Sequence, residues 1–550
     1  MAWLSPALSG EFDRGQGAGH NPIQWRTVGN ATHGDPTARA VGLERTQPVV
    51  TTEPESSVPA LSASEPLPRP ASRATSRIHY LDKIPVSDVP PAEIEASDFT
   101  DLVTPRRRRV QTSGPRVLIG GFALIIAIGT LLLKLPWASS NGVSITWSEA
   151  LFTATSATTV TGLVVLNTAN DFSLFGQIVI LILLQVGGVG FISLSVLLMR
   201  LIGRRITLQT RFIVQQSVGS GELSGALRLA LYVLGVTLSL EAIGALLLWL
   251  RWREHLPADE AVWYAIFHSV SAYCNAGFDL FSGTAYPAVF GFGRDWVTLG
   301  IMGTLILLGS FGITVLYDLV TATRSRSWAL NTRFTLTMSL VLTTAGFALI
   351  AGDARLDDAL GGIATRSEQL AVALFTTISA RTAGLTVVPL SELSDASQLL
   401  LLLWMFVGGA PASMAGGVSS STVAVILVAV LATARGSSHA VVYRRTLPAE
   451  TIAKAVAIMT VSTLLVIAVT MLLAFGSDTP LFPLAFEVVS AFANTGYSLD
   501  FTAKLSEFGR YLIAFTMFWG RLGPLTIVVA LAQREQVTLV RFPAEPVILG

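Results

Sequence analysis

From Arg106 onward, charged residues only punctuate long apolar runs, and this pattern constrains the fold more than any other feature. A helix needs roughly 20 residues to cross a hydrocarbon core of ~30 Å. Uncharged runs of that order lie at Val117–Leu133, Phe172–Met199, Trp296–Tyr317, Phe334–Gly352, Ala396–Ala434 and Ala455–Ser477. Two more, Leu229–Leu250 and Tyr511–Gln533, are each interrupted by one charge, Glu241 and Arg521. The reading is an all-α polytopic membrane protein with eight transmembrane helices. Composition agrees, because 13% of the chain is charged, about half the roughly 25% usual in soluble domains.

Basic residues in alternate connections give the orientation. One side carries Arg106–Arg109, Arg116, Arg200, Arg204, Arg205, Arg211, Arg228, Arg324, Arg326, Arg333, Arg435, Arg444, Arg445, Lys454, Arg534 and Arg541, 19 in all. The other carries Lys134, Arg251, Arg253, Arg294, Arg355, Arg366, Arg381, Lys504 and Arg510, 9 in all. Both termini are therefore expected on the cytoplasmic side of the cell membrane. Residues 1–109 hold 13 of the 25 prolines and no long apolar run. Such a segment cannot bury enough apolar surface to offset chain entropy and reads as a disordered cytoplasmic extension, either a solvated tail or a docking segment. A net charge of +1 argues against a mainly nucleic-acid-binding protein. A single cysteine, Cys274, excludes an intrachain disulfide and a multi-cysteine metal site.

The outer connections are too apolar for ordinary exposed loops, and they repeat. Aligned, they read FTATSATTVTGL from Phe152, FHSVSAYCNAGF from Phe267, FTTISARTAGL from Phe375 and FEVVSAFANTGY from Phe486. Each has Phe, then Ser-Ala four and five residues on, then Gly at ten, or at nine in the shorter third copy. The glycines Gly162, Gly277, Gly384 and Gly496 are 115, 107 and 112 residues apart. Each of four units therefore reads helix, short re-entrant helix, glycine loop, helix. Their bounds are 110–211, 212–326, 327–445 and 446–535, with a tail at 536–550. Non-helical backbone at membrane depth survives only when it is buried in protein or lines a watery cavity. Four such loops around one axis meet that condition, and their carbonyls can replace the hydration shell of a cation. The expected selectivity filter is Val160, Thr161, Gly162, Asn275, Ala276, Gly277, Thr382, Ala383, Gly384, Asn494, Thr495 and Gly496. A dehydrated cation is expected at the carbonyls around the four glycines.

Ala396–Ala434 is 39 residues long, and at 1.5 Å per residue one straight helix would reach about 58 Å, nearly twice the core. It must break. The sequence places the break at 408–421, where Gly408, Gly409, Ala410, Pro411, Ser413, Gly416, Gly417, Ser419 and Ser420 form a stretch of helix-weak residues. Arg521, near the middle of the last span, costs several kcal/mol if unpaired. It is expected to face the pore or to find acceptors, and the broken segment offers freed carbonyls.

These residues carry a resemblance over approximately 110–550 to the Trk/Ktr/HKT superfamily of potassium transporters, most like the KtrB-type membrane subunit. Supporting segments are QVGGVGFISL from Gln185, GSFGITVLYDL from Gly309, GGAPASMAGGVSSST from Gly408, FWGRLGPLTIVVAL from Phe518 and the ending RFPAEPVILG. The resemblance implies four linked units with pseudo-fourfold symmetry around one pore. It also implies K+ uptake, often aided by Na+, a homodimer, and docking on a cytosolic nucleotide-binding ring of the KtrA type. In the family the broken segment is a gate below the filter, with the Arg of GRLGP beside it. Relatives usually carry a Lys shortly after the paired glycines, where this chain has Ser419 and Ser420. The nucleotide belongs to the partner, and no cofactor is expected on this chain.

Other polar residues have plainer readings. Glu241 supports the second loop or pairs with a neighbour, and His268 is a packed histidine or a proton switch. Glu149 and Glu487 lie close to the starts of re-entrant helices and read as caps favoured by the helix dipole. Asp279 and Asp500, just past their glycines, either concentrate cations or sit in ordinary turns. HExxH, GxGxxG, Walker A and GxSxG patterns are all missing from the sequence, so an enzyme is not expected. The competing class is a coupled secondary transporter, which also uses broken helices near the midplane. Four copies favour a pore.

Overall fold

The computed structural model describes residues 114–189, 226–282, 284, 294–325, 328–411, 413–475 and 479–523. The expectations for 1–109, for 536–550 and for the basic stretch Arg204–Arg211 lie outside the described residues. What is described is almost entirely helical. Among those residues the strands are one antiparallel pair, β1 (Val441–Val442) and β2 (Arg445–Thr446).

The apolar runs form long helices, as their length demands. They are α1 (Gly114–Leu133), α3 (Leu174–Val189), α4 (Ala226–Trp252), α6 (Trp296–Ser325), α7 (Leu330–Ala351), α11 (Ala449–Ala474) and α13 (Glu507–Leu522). The described parts of α4, α7 and α11 are each long and apolar enough to cross a membrane. The 39-residue run is divided into α9 (Asp395–Phe406) and α10 (Ser420–Ala434). The break thus occupies 407–419, and Ser420, expected within it, is the first residue of α10. Between the long helices lie four short ones, α2 (Trp147–Thr159), α5 (Ala258–Tyr273), α8 (Arg366–Ala380) and α12 (Leu481–Ala493). Each ends three or four residues before a loop glycine.

Burial runs opposite to that of a soluble domain. Leu124, Ile182, Leu238, Leu246, Leu340, Leu464 and Leu472 are exposed on the long helices, whereas Ser156, Thr158, His268, Thr377 and Ser490 on the short helices are fully buried. An apolar exterior, with polar side chains sheltered among the apolar core residues, is the arrangement a hydrocarbon solvent favours. The motif phenylalanines Phe152, Phe267, Phe375 and Phe486 are each at most 1% exposed and anchor the short helices in the core.

Packing closes a circuit. Each short helix contacts the helices on either side of it in sequence, and also the helix that follows the loop of the preceding unit: α5 meets α3, α8 meets α6, α12 meets α9, and α2 meets α13.

Several sequence expectations are corrected by the fold. Glu487 is no cap, because α12 begins at Leu481, one turn and a half earlier, and the residue is fully buried in mid-helix. Pro483 lies in the first turn of α12, where the missing N–H of a proline is not needed. Arg381, counted with the outer connections, is only 2% exposed and donates to Ser339 Oγ at 2.6 Å. The run Trp296–Tyr317 is not one regular helix, since Gly312 interrupts α6 at φ 72°, ψ 160°, a region essentially closed to residues with a Cβ.

Candidate ion pathway

The short helices are placed by local chemistry. Thr146 and Glu149 form a reciprocal capping box at the start of α2, as do Thr365 and Glu368 at α8, satisfying backbone donors that a helix leaves open. The opposite ends point to the loops. A helix C-terminus carries partial negative charge, so four such ends set beside the loops favour a cation there.

The motif serine is the residue whose role the sequence does not disclose. In every unit its backbone carbonyl accepts the N–H of the residue before the glycine: Thr161 to Ser156 at 2.8 Å, Ala276 to Ser271 at 2.7 Å, Ala383 to Ser379 at 2.9 Å and Thr495 to Ser490 at 3.0 Å. Its hydroxyl ties the same loop again. Ser156 and Ser490 accept from the N–H of Gly162 and Gly496, at 3.1 and 3.0 Å. Ser271 and Ser379 donate to the carbonyls of Phe278 and Leu385, at 2.6 and 2.8 Å. Its recurrence in the motif was the available signal.

The loops then take left-handed turns. Val160, Asn275 and Asn494 have φ of 59°, 58° and 51°, and the four glycines have φ of 89°, 71°, 66° and 96°. The third loop, one residue shorter, reaches its glycine without a left-handed residue before it. A Cβ placed on Gly162 would lie 2.5 Å from Ala276 O, and one on Gly277 would lie 2.6 Å from Ala383 O. On Gly384 it would overlap Thr495 O, and on Gly496 it would overlap Thr161 O. The same carbonyl, that of the residue preceding the glycine, therefore meets the neighbouring glycine at all four steps, and the fourth step returns to the first loop. Side chains add two cross-links. Asn494 Nδ2 donates to Thr161 Oγ1 at 2.9 Å, and the Asn275 amide and Thr382 hydroxyl are hydrogen-bonded at 2.9 Å. Eleven of the twelve residues expected around the loops take part in these contacts, and Val160 packs beside Gly187 of α3.

Beside this ring lies the broken segment. Gly408 N–H donates to Val418 O at 2.9 Å, and Val407 and Val418 form an isolated parallel bridge. Ser420 N–H and Oγ both donate to Gly409 O, at 2.9 and 3.1 Å. Two freed donors find α6, where Ala410 N–H reaches Ser310 O at 2.9 Å and Met414 N–H reaches Gly309 O at 3.3 Å. Those carbonyls lie beside the Gly312 interruption. Gly416 and Gly417 pack on Asn494 and Ala493 at the end of α12. Arg521 Nη1 donates to Met414 O, and its Nη2 donates to Gly187 O at 2.5 Å. One guanidinium thus joins the broken segment to α3. Pro411 and Ser413 lie within the segment, and Ser413 Oγ accepts Ala415 N–H at 3.2 Å. Ser419 Oγ is hydrogen-bonded with the Thr422 hydroxyl at 2.8 Å.

The remaining polar candidates are structural in geometry. Glu241 accepts from Gln185 Nε2 at 2.9 Å and from Cys274 Sγ at 3.5 Å, linking α4 to α3 and the second loop. Asp279 accepts Phe281 and Ser282 N–H in a turn, at 2.6 and 3.1 Å. Asp500 accepts Ser391 Oγ at 2.8 Å on the surface.

Residues 122–540 match the model of the family described as TrkH, cation transport protein. The chain is 34% identical over 441 residues to Ktr system potassium uptake protein B of Bacillus subtilis, covering 80% of this chain and 98% of that one. It is 33% identical to the protein of the same name from Vibrio alginolyticus, with 81% and 97% covered. Potassium/sodium uptake protein NtpJ of Enterococcus hirae is 30% identical, with 81% and 99% covered. The crystal structure of the potassium transporter TrkH from Vibrio parahaemolyticus shares the fold at a TM-score of 0.61 and 17% identity, covering 78% of this chain and 86% of that one. The family is one of transporters rather than enzymes, and a helical chain of this family with long, exposed apolar helices is a multi-pass membrane protein. Matched by the family model over residues 122–540, and covering 98% and 97% of the two Ktr system proteins at 34% and 33% identity, the chain belongs to the TrkH family of cation transport proteins, on the Ktr branch.

Proposed function

We propose that the chain takes up K+ across the cytoplasmic membrane as the ion-conducting subunit of a Ktr/Trk-type system. The observation that carries this reading is the closed circuit in which each loop glycine meets the carbonyl before the next. Backbone held in that way offers fixed dipoles to a dehydrated cation, and the four short helices are re-entrant pore helices whose negative ends add to the attraction. The four units surround one pore with pseudo-fourfold symmetry. One glycine per loop supports fewer ordered carbonyl sites than a TVGYG-like run, which leaves room for Na+ as a competitor or activator. The name of the Enterococcus hirae relative supports that addition.

The segment 407–419 is the gate, and Arg521 is its latch. Its bonds run to α6 and α13, so moving it exchanges a small set of hydrogen bonds rather than unpacking a helix. Both termini are cytoplasmic, the protein is a homodimer, and a cytosolic nucleotide-binding ring regulates it through basic connections such as Arg435–Lys454. Expression in a strain lacking its own potassium importers, with a cytosolic Ktr partner supplied, tests the reading. Restored growth and K+ uptake at low external K+ are expected. Movement of neither ion would reject it.

A further inference from the structure

The residue after the motif phenylalanine occupies the same place in each short helix, yet its chemistry alternates around the circuit. It is Thr153, His268, Thr376 and Glu487, and each is at most 2% exposed. The loop contacts run 1 to 2 to 3 to 4 and back to 1, so the second and fourth loops face each other across the ring. These two carry the histidine and the glutamate.

Each holds the limb of chain that leaves its own loop. Leu280 N–H, three residues past Gly277, donates to His268 Nε2 at 3.3 Å, while His268 Nδ1 lies 2.8 Å from Tyr264 O. A carbonyl at Nδ1 takes a donor there and an N–H at Nε2 takes an acceptor, so an Nδ1–H tautomer satisfies both partners, and the Asp279 carboxylate lies 3.8 Å from Nε2. Trp252 and Phe281 pack against the imidazole, with ring centroids 5.5 and 4.7 Å away. Across the ring, Thr502 Oγ1, six residues past Gly496, donates to Glu487 Oε1. Ser498 Oγ in turn accepts the N–H groups of Phe501 and Thr502 at 3.2 and 3.4 Å. By contrast, the hydroxyls of Thr153 and Thr376 have no hydrogen-bond partner among the described residues. The third loop is instead braced from outside its unit, by Tyr497 OH donating to the backbone carbonyls of Thr376 and Leu385 at 3.2 and 3.4 Å.

We propose that His268 and Glu487 are positioning residues for ion selection, each fixing the outgoing limb of its loop, so that one diagonal of the ring is held by these buried side chains and the other is not. The inference rests on the conduction reading above. A loop whose outer limb shifts by a fraction of an ångström misplaces the carbonyls that replace ion hydration. Loss of either brace therefore alters discrimination between ions before it alters folding.

The test measures K+ and Na+ uptake at matched membrane expression for His268→Leu, His268→Gln, Glu487→Leu, Glu487→Gln, Thr502→Val, Thr153→Val and Thr376→Val. Each Leu variant should raise the K+ concentration for half-maximal uptake about fivefold and lower the K+ to Na+ ratio, in keeping with loss of one buried hydrogen bond. The Gln variants keep an acceptor and should return to within about twofold of wild type. Thr502→Val removes the glutamate's partner from the other side and should reproduce Glu487→Leu, with no further loss in the double variant. The two other threonine variants should match wild type. Unchanged half-saturation and ion ratio in the Leu variants would overturn the proposal, as would equal losses in Thr153→Val and Thr376→Val. If the Leu variants fail to reach the membrane, Thr502→Val decides, and wild-type selectivity there overturns the role of Glu487. Gly277→Ser in the same series separates the two readings. A glycine effect without a His268 or Glu487 effect removes only this proposal, whereas the absence of wild-type K+ uptake removes the conduction reading itself.

Discussion

The glycine ring and the broken segment lie side by side, both made of non-helical backbone buried inside helices, but they are secured in opposite ways. Each loop of the ring is tied mainly to its own short helix, twice, through the carbonyl and hydroxyl of one serine. The broken segment is tied within itself at its base, and outward to two other parts of the chain, α6 and Arg521 of α13. Local ties survive as long as their helix does, while ties to distant elements hold only while those elements keep their relative places. On the function proposed above, ties of the first kind suit selection and ties of the second kind suit gating.

This contrast can be broken at several points. The largest effect is expected from Gly384→Ala, where a Cβ would overlap Thr495 O and also demand a positive φ, a conformation that alone costs roughly 1–2 kcal/mol. K+ uptake should fall at least about tenfold, because misplaced carbonyls no longer match the ion. Arg521→Gln comes next. Losing charge and reach, it should release Met414 O and Gly187 O and raise steady K+ uptake by about threefold, consistent with charge-assisted bonds worth roughly 1.5–3 kcal/mol shared between open and closed states. Gly312→Ala should favour regular helix in α6, withdraw the Ser310 and Gly309 carbonyls from the segment, and change uptake about twofold with a strained backbone. Tracer influx at matched expression measures both. The smallest effect is expected from Ser490→Ala, which removes one hydroxyl acceptor from Gly496 N–H. Thermal unfolding in detergent should report a loss of about 1 kcal/mol, the usual worth of one hydrogen bond.

Much of the ring could be read before the structure, because a four-times-repeated Phe-x3-Ser-Ala pattern leaves a mark that no single loop would. The break in the third inner span was equally legible from length, since 39 uncharged residues exceed any straight crossing. What the sequence hid is instructive. Gly312 breaks α6 inside a run of ordinary length with no proline or charge to announce it, and its reason lies in the segment that docks there. Arg381 reads as a solvated connection by the rule that charges avoid apolar interiors, yet packing closes over it beside Ser339. Glu487 reads as a cap because it lies close to the expected start of a re-entrant helix, which instead begins at Leu481. The deciding contact for Gly312 comes from another unit, that for Arg381 from a helix of its own unit 42 residues away in sequence, and Glu487 is decided by a helix end; none of these leaves a local signature.

The most direct measurement is tracer Rb+ influx into proteoliposomes holding the purified chain, driven only by an outward K+ gradient. A conducting ring predicts accumulation of tracer that external K+ suppresses and a bulky organic cation does not, with Gly384→Ala reducing it to the level of empty vesicles. Tracer movement that requires a gradient of a second solute, or that is unchanged in Gly384→Ala, would contradict a backbone ring that selects and conducts K+.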